Sequence, residues 1–598
     1  MMKKFLLVVC GSFVGVTLAL FFFLISSIIM SIAMMGMGSM GKSGASVQKH
    51  SILRITLDDE IAERETSGEF SPYDLMMGDI STPSSLAVMV EAIEKAADDK
   101  DIDGIYLDCQ GSLAAPASRE ALHAALKNFK AKSGKWIYAY ANEGYDQGDY
   151  YLASTADSIF LNPIGAVDLH GLASATQYYK QLLDKIGVEM QVIRVGSFKS
   201  AVEPFMIDSI SPANRLQQEV YLGNIWSAMR DSMAKDRNID SKRFDTLVDS
   251  ILITQSPDTL KLYKLVDALC YPDEMEARLR KLTNVDKDDD LRFVSPSDIA
   301  DGHENEVSGD HIAVLFAAGE IDGSGFLGGE SGINSEKLCK NIKDLKDNKH
   351  VKGLVLRVNS PGGSAFGSEQ IWHALEEFKK SGKPLAVSMG DYAASGGYYI
   401  SSGAQRIFAE RTTITGSIGI FGMIPCYQEL AENKLGVYTS IVKTNANSDL
   451  GLVATKKLTP TQKAALQNMI NRGYELFTKR CADGRKIAQD SIKKIAEGRV
   501  WDGVSAKNLG LVDEFGGIAD AVKWVAKQAG IKEDKCKTQN YPALSSDWKS
   551  MFSQIMRNHY EMQLQNEMGI FYPYRKELMK ITSRSHVLCL MEEPELKF

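Results

Sequence analysis

Apolar and polar positions along this chain follow two patterns, and the same series of patterns occurs twice. Short apolar runs such as GLVLRV (353–358) and PLAVSMG (384–390) are typical of buried strands. Between them, Ile371, Leu375 and Phe378 fall on one face of a helix. Strand runs that alternate with amphipathic helices predict an α/β fold with a mainly parallel sheet.

The repetition can be measured from matching residues. The tripeptide SGK at 133–135 recurs at 381–383, and Tyr150-Tyr151 recurs as Tyr398-Tyr399, each at a distance of 248 residues (381 − 133 and 398 − 150). A charged helical segment follows each core, at 211–240 and 459–495. A repeat of this length predicts two tandem structural units. We therefore expect an N-terminal α/β repeat over 48–305, a C-terminal α/β repeat over 310–540, and a tail over 541–598 to which no role can be assigned.

The N-terminus predicts a membrane anchor. Lys3 and Lys4 precede an apolar stretch from Phe5 to about Met37, which is longer than the roughly 20 residues that a spanning helix needs. We expect an N-terminal transmembrane helix that is not cleaved, with residues 1–40 forming anchor and linker; a long cleaved signal sequence is the alternative. The two lysines favour a cytoplasmic N-terminus. The chain is then expected to cross the inner membrane once, with its body on the extracytoplasmic side.

Charge and cysteine usage exclude several classes of protein. The formal net charge of −8 argues against a nucleic-acid partner, which would require a basic face. None of the eight cysteines forms a CxxC pair, so the sequence predicts neither a zinc site nor a thioredoxin-like motif. Isolated buried thiols are the expectation.

Two glycine-rich turns in the second copy are candidates for chemistry. The turn Asn359–Ser364 follows the strand GLVLRV, and its backbone amides are placed to bind a developing oxyanion. The second turn holds Ser395 between small residues at the start of a helix, where a carbonyl group can reach its hydroxyl. Taken singly, each turn is better explained by chain reversal.

The first copy lacks both features. Ser395 corresponds to Gln147 (395 − 248), and the Gly362-Gly363 pair corresponds to Leu113-Ala114 at 249 residues. The first copy thus keeps the scaffold without these residues, as expected if they serve chemistry and not folding.

No histidine has a convincing position as a general base for Ser395, including His170 and His373. A lysine replaces histidine where burial lowers its pKa. Lys199, in VIRVGSFKSAVEPF, follows a strand and a glycine and has apolar neighbours, although from this segment alone a solvated loop lysine is the better explanation. The corresponding position in the second copy is Asn447 or Ser448, so each copy has what the other lacks.

Four segments together resemble the long, duplicated form of the signal peptide peptidase A (protease IV) family: GSFKSAVEPF, SPGGS, MGDYAASGGYYI and ITGSIGIFG. The resemblance implies two tandem repeats of a fold related to ClpP and crotonase, a homotetramer, and a serine endopeptidase with a Ser/Lys dyad that needs no metal or cofactor. The resemblance further implies that the substrates of this enzyme are signal peptides left in the lipid bilayer and other unfolded peptides.

Carried over to this sequence, the resemblance makes Ser395 the nucleophile and Lys199 the general base. Gly363 becomes an oxyanion donor, with Gly396 a second donor because it follows the nucleophile. Ser417, in ITGSIG, is a candidate for orienting the lysine amine, and a plain turn role is the alternative. Two other functions remain open at this point: a crotonase-like acyl-CoA enzyme, and a non-catalytic membrane scaffold on a peptidase fold.

Overall fold

The computed structural model describes residues 47–58, 60–64, 84–287, 289–300, 307–322, 332–452, 454–532, 535–542, 588–591 and 596–597. The anchor expected at 1–40 lies outside these residues, as does most of the tail expected at 541–598. Within the described part of the chain, no helix has both the length and the apolar character to cross a bilayer.

The first half folds around a six-stranded parallel sheet. Its strands lie in the order Ala268–Leu269, Ser158–Leu161, Trp136–Ala141, Ile102–Cys109, Ser51–Leu57 and Phe293–Val294. Its helices are Leu86–Asp98, Pro116–Ser133, Gln147–Ala153, Lys180–Ile186, Pro212–Asp236, Ser241–Val248, Pro257–Leu262, Pro272–Thr283 and Pro296–Ile299. The strands are apolar on both faces because helices cover them, as a parallel sheet requires.

The second half repeats this sheet with the same order of strands. The corresponding strands are Glu514–Phe515, Arg406–Ala409, Leu385–Ala394, Val351–Ser360, His311–Ala318 and Thr538–Tyr541, and all are parallel to their neighbours. The strands Ile414–Gly416 and Val500–Asp502 extend it from the end of Leu385–Ala394. Its helices are Ser335–Asp347, Ala365–Lys380, Gly396–Ser401, Pro460–Arg485, Gln489–Ile495, Gly503–Asn508 and Ile518–Gln528.

Equivalent residues make equivalent contacts in the two halves. The Tyr150 hydroxyl donates to the Leu265 carbonyl at 2.8 Å, and the Tyr398 hydroxyl donates to the Leu511 carbonyl at 3.0 Å. The long helices Pro212–Asp236 and Pro460–Arg485 begin 248 residues apart (460 − 212), each with proline in its first turn after a Ser or Thr cap. The predicted α/β class and its duplication are therefore confirmed.

Buried polar contacts join the two halves. Arg357 and Glu63 form an ion pair at 2.7 Å with both side chains almost fully buried. The Ser118 amide and hydroxyl donate to Asp391 at 2.9 and 2.8 Å. Because an unpaired buried charge is costly, these pairs hold the halves in one relative position.

A four-stranded antiparallel sheet crosses from one half to the other. Its strands lie in the order Glu189–Arg194, Phe421–Cys426, Leu588–Leu590 and Gly362–Ser364. The first of them comes from the first half and leads directly into Lys199, and the last is the glycine turn of the second half. This sheet therefore brings together segments that are far apart in the chain.

Candidate active site

Ser395 lies at the sharp junction between a strand and a helix. The strand Leu385–Ala394 ends just before it, and the helix Gly396–Ser401 begins just after it. Its backbone has φ of 54° and ψ of −112°, a combination that is strained for a residue with a Cβ. Residues with such strained backbones cluster at functional sites. The turn sets the hydroxyl against neighbouring segments and leaves the residue fully buried.

Lys199 meets Ser395 although 196 residues separate them. The strand Glu189–Arg194 pairs with Phe421–Cys426, and the chain then turns at Gly196 before a short 3₁₀ helix, Ser200–Phe205. The Lys199 Nζ lies 2.8 Å from the Ser395 Oγ. It also lies 2.9 Å from the Ser417 Oγ and 3.1 Å from the Ser417 carbonyl oxygen. The structure thus brings together three of the residues singled out in the sequence, with Ser395 and Ser417 around the amine of Lys199.

Burial controls the charge of this amine. Lys199 is 1% exposed, and no carboxylate of the described residues pairs with it. Desolvation lowers the pKa of Lys199 from its usual 10.5 to about 7, and the nearby Cys589 thiol opposes this shift. The amine is therefore substantially neutral near pH 7, the form that accepts a proton.

Part of the cover over Lys199 comes from the second half. A Cβ placed on Gly498 would lie 2.7 Å from the Lys199 Cβ, and one placed on Gly419 would lie 3.3 Å from the Lys199 Cδ. These glycines allow the backbone to close on the lysine stem, which a larger residue at Gly498 would prevent. Gly498 was missed in the sequence, where its EGR segment has no recognisable signal; Gly419 lies within the ITGSIG segment.

The glycine turn directs the amide of Gly363 away from Ile321 and toward the strand Leu588–Leu590. The Ile321 amide donates to the Gly362 carbonyl at 2.7 Å, and the Ser364 amide donates to the Ile321 carbonyl at 2.8 Å. In a strand, the polar groups of successive residues point in opposite directions, so the amide of Gly363 points away from Ile321. Gly363 has φ of 146°, and a Cβ there would lie 2.2 Å from the Ile321 carbonyl oxygen, so the position requires glycine.

The Gly396 amide lies beside this turn. Its nitrogen is 2.7 Å from the point that a Cβ on Gly362 would occupy. The amides of Gly363 and Gly396 thus belong to adjoining segments next to Ser395. Two backbone donors beside a buried hydroxyl are an arrangement that can stabilise an oxyanion.

The first half uses the corresponding position for structure. The Gln147 amide group donates to the Gly171 carbonyl at 3.1 Å and accepts from the Gly171 amide at 2.8 Å. Leu113, which corresponds to Gly362, is 72% exposed. In the first half Gln147 therefore contacts the segment at Gly171 directly. In the second half Lys199 connects the corresponding segments, which hold Ser395 and Ser417.

The remaining sequence candidates lie elsewhere. His373 is exposed on the helix Ala365–Lys380, and His170 is exposed beside Asp168 at 3.0 Å. Asn447 and Ser448, the positions equivalent to Lys199, are also exposed. Cys589 lies at the site and was not anticipated, since nothing in its local sequence indicates where the segment packs.

Comparison with known proteins relates both halves to one family. The model of "Peptidase family S49" matches residues 129–286 and 377–532, one match in each half. "Protease 4" from Salmonella typhi is 40% identical over 460 residues, which make up 75% of this chain and 73% of that protein. A protein from Enterococcus faecium that carries the name signal peptide peptidase SppA is 33% identical over 263 residues, 44% of this chain and 75% of its own. Among solved structures, a ClpP1 mutant from Listeria monocytogenes matches 35% of this chain and 93% of its own, at 16% identity and a TM-score of 0.23.

Proposed function

The chain belongs to peptidase family S49 and is a serine-type peptidase, and we propose that Ser395 is its nucleophile and Lys199 its general base. The observation that carries this assignment is the 2.8 Å contact between the Lys199 Nζ and the Ser395 Oγ, with the lysine buried and its pKa lowered to about 7. A crotonase-like acyl-CoA enzyme would not need such a pair, and a scaffold would not need a strained serine. Neither alternative is favoured.

The first chemical step follows from this contact. Neutral Lys199 accepts the Ser395 hydroxyl proton while the Ser395 Oγ attacks a peptide carbonyl carbon. Lys199 then gives that proton to the leaving amine, and an ester joins the substrate's acyl group to Ser395. A water molecule, deprotonated by the same amine, hydrolyses the ester.

Ser417 positions the lysine. Its hydroxyl and carbonyl oxygens lie 2.9 and 3.1 Å from the Lys199 Nζ, an amine with no carboxylate partner among the residues that the structure describes. These contacts restrict the flexible side chain to the direction in which it reaches Ser395. The amides of Gly363 and Gly396 hold the oxyanion, each worth about 3–4 kcal/mol in comparable enzymes.

Signal peptides and other unfolded, apolar peptides are the proposed substrates. The name of the Enterococcus faecium relative supports this class. Beside the dyad, Val202, Phe421 and Met423 form an apolar cluster that suits leucine-rich segments. The strand Gly362–Ser364, which pairs in this structure with Leu588–Leu590, can offer the same backbone pairing to an extended peptide but not to a folded protein.

Membrane anchoring and assembly are part of the proposal. The apolar stretch from Phe5 to Met37 supports a single-pass anchor in the inner membrane, with the peptidase on the extracytoplasmic side. The family resemblance supports a homotetramer. Carbonate extraction of membranes that contain the full chain tests the anchor, and the mass of the detergent-solubilised particle tests the assembly.

The decisive experiment is cleavage of a synthetic signal peptide, with the products identified by mass. We expect cleavage by the unmodified chain and none by Ser395→Ala or Lys199→Ala. Ser401→Ala is the matched control, because Ser401 is also a buried serine but donates only to the Gly397 carbonyl, at 2.7 Å. Full cleavage by either dyad variant would disprove the assignment.

A further inference from the structure

A cavity of about 750 Å³ lies between the two halves of the chain. The helices Leu86–Asp98 and Pro116–Ser133 of the first half line it, and so does the helix Ile518–Gln528 of the second half. The described residues around this cavity include none that the active site uses. A space of this volume is typical of pockets that enclose a small molecule.

The lining of the cavity is mostly apolar. It includes small and aliphatic side chains from both halves that the protein buries only in part: Ala87, Val90, Ala121, Ala519 and Val522. A ligand that covered these side chains would remove apolar surface from water, which is favourable. The cavity therefore suits a ligand with an apolar body.

Glu410 brings a carboxyl group to this apolar space. The residue is 8% exposed and lines the cavity directly after the strand Arg406–Ala409. Its Oε1 lies 3.5 Å from the point that a Cβ on Gly517 would occupy, just before the helix Ile518–Gln528. Among the described residues, no group forms a hydrogen bond with this carboxyl, whereas the Glu410 backbone amide donates to the Thr413 hydroxyl at 3.0 Å. A buried polar group without a partner is costly, and a ligand that supplies one removes this cost.

The charges around Glu410 favour a cation as that partner. Burial and then the charge of Glu120 raise the pKa of Glu410 to about 8, Asp520 adds to the rise, and Arg357 and Arg411 oppose it. Both arginines are already paired with other carboxylates, at 2.7 and 3.1 Å. An ammonium group placed against Glu410 would give this carboxyl a positive partner of its own and would ionise it.

An anion is the alternative ligand, because three lysines also line the cavity. They are Lys523, Lys527 and Lys532, and all three are exposed. Water and salt screen exposed charges strongly and buried charges much less. The buried carboxyl of Glu410 therefore contributes more to the selectivity of the cavity than the lysines do.

We propose that the cavity between the halves binds a primary amine carried on an apolar body, with the Glu410 carboxylate holding the ammonium group. The apolar walls cover the body of the ligand, and Glu410 accepts charge-assisted hydrogen bonds from its nitrogen. In the empty protein Glu410 is mostly protonated at pH 7, since its pKa is about 8. Binding at pH 7 therefore releases about 0.9 proton for each ligand bound.

Isothermal titration calorimetry of the full chain in a mild detergent, with a protein-free blank, tests this site. The probes share one apolar body and differ in the head group: phenylbutylamine, phenylbutanol and phenylbutyrate. At pH 8 we expect the amine to bind roughly tenfold to a hundredfold more tightly than the alcohol, and the acid to bind most weakly. The affinity for the amine should rise about ninefold from pH 6 to pH 7 and less than about twofold from pH 8 to pH 9, because Glu410 must ionise.

Matched variants assign the effect to Glu410. Glu410→Gln keeps the shape of the side chain and removes its charge, so the preference for the amine and the pH dependence should both disappear. Glu94→Gln is the control, because Glu94 lines the same cavity from an exposed position, and it should keep both properties. Ala121→Trp places an indole in the cavity and should weaken the binding of all three probes. Circular dichroism shows whether each variant is folded.

Several outcomes would overturn the inference. They are equal affinity for the amine and the alcohol, tighter binding of the acid, and no binding of the amine. A preference for the amine that survives in Glu410→Gln, or that Glu94→Gln loses to the same extent, also overturns it. If Glu410→Gln does not fold, the other measurements decide: an affinity for the amine that is constant from pH 6 to pH 8, or unchanged in Ala121→Trp, excludes the proposed site.

Discussion

Replacing Lys199 with methionine removes the buried amine and keeps an unbranched side chain of similar length. In the unfolded chain the amine titrates near its usual pKa of 10.5, whereas in the folded protein burial lowers the pKa to about 7. Between these values the unfolded chain binds a proton that the folded protein lacks. The free energy of unfolding therefore rises with pH across this window.

The size of the effect follows from the same two values. At about 1.4 kcal/mol for each pKa unit, the buried amine destabilises the folded state by about 4 kcal/mol at pH 7 and by about 2 kcal/mol at pH 9. The methionine side chain loses the contacts of the amine with Ser395 and Ser417, about 1 kcal/mol each at any pH. We therefore expect Lys199→Met to be about 2 kcal/mol more stable than the unmodified chain at pH 7 and of equal stability at pH 9.

Equilibrium denaturation by urea, followed by tryptophan fluorescence at both pH values, measures this difference. Lys185→Met is the matched control, because it makes the same chemical change at an exposed position. A difference between Lys199→Met and the unmodified chain that stays constant from pH 7 to pH 9 would refute the argument. It would mean that burial does not hold this amine neutral.

Three further predictions concern catalysis. The proposed mechanism uses the neutral amine of Lys199, so kcat/KM should rise about tenfold for each pH unit below 7 and level off above it. A pH–rate profile measures this, and a rise near 10.5 would contradict the lowered pKa of Lys199. Ser417→Ala should lower kcat roughly tenfold to a hundredfold with little change in KM and should shift that profile, whereas a plain turn role for Ser417 predicts an unchanged profile. Gly363→Ala should lower kcat by about 10²–10³. The Cβ of the alanine would lie 2.2 Å from the Ile321 carbonyl oxygen, which would displace the backbone amide of residue 363. Unchanged kinetics would exclude Gly363 as an oxyanion donor.

Much of the fold could be predicted from the sequence. The distance of 248 residues between matching segments, together with apolar strand runs and amphipathic helices, indicates two α/β units from the sequence alone. Local signals of this kind depend on neighbouring residues, which is why they can be recognised in a linear chain. The same comparison between copies singled out Ser395 and the turn at Gly363, because the first half keeps the scaffold without them.

The properties of Lys199 depend on residues far from it in the chain. Its contact with Ser395 spans 196 positions, and part of its cover comes from Gly419 and Gly498 in the other half. A pKa is lowered by the atoms that exclude water in three dimensions, so the apolar neighbours of Lys199 in the sequence were insufficient to predict it.

The sequence by itself determined the two α/β repeats and the strand ends at which Ser395 and Gly363 lie. Only the tertiary structure decided how the repeats combine: the antiparallel sheet that crosses both halves delivers Lys199 to Ser395 and places Cys589 against Gly363. The physical reason is that strand pairing uses backbone groups common to all residues. The side chains therefore specify which positions are buried, but they do not reveal which distant strand will be the partner.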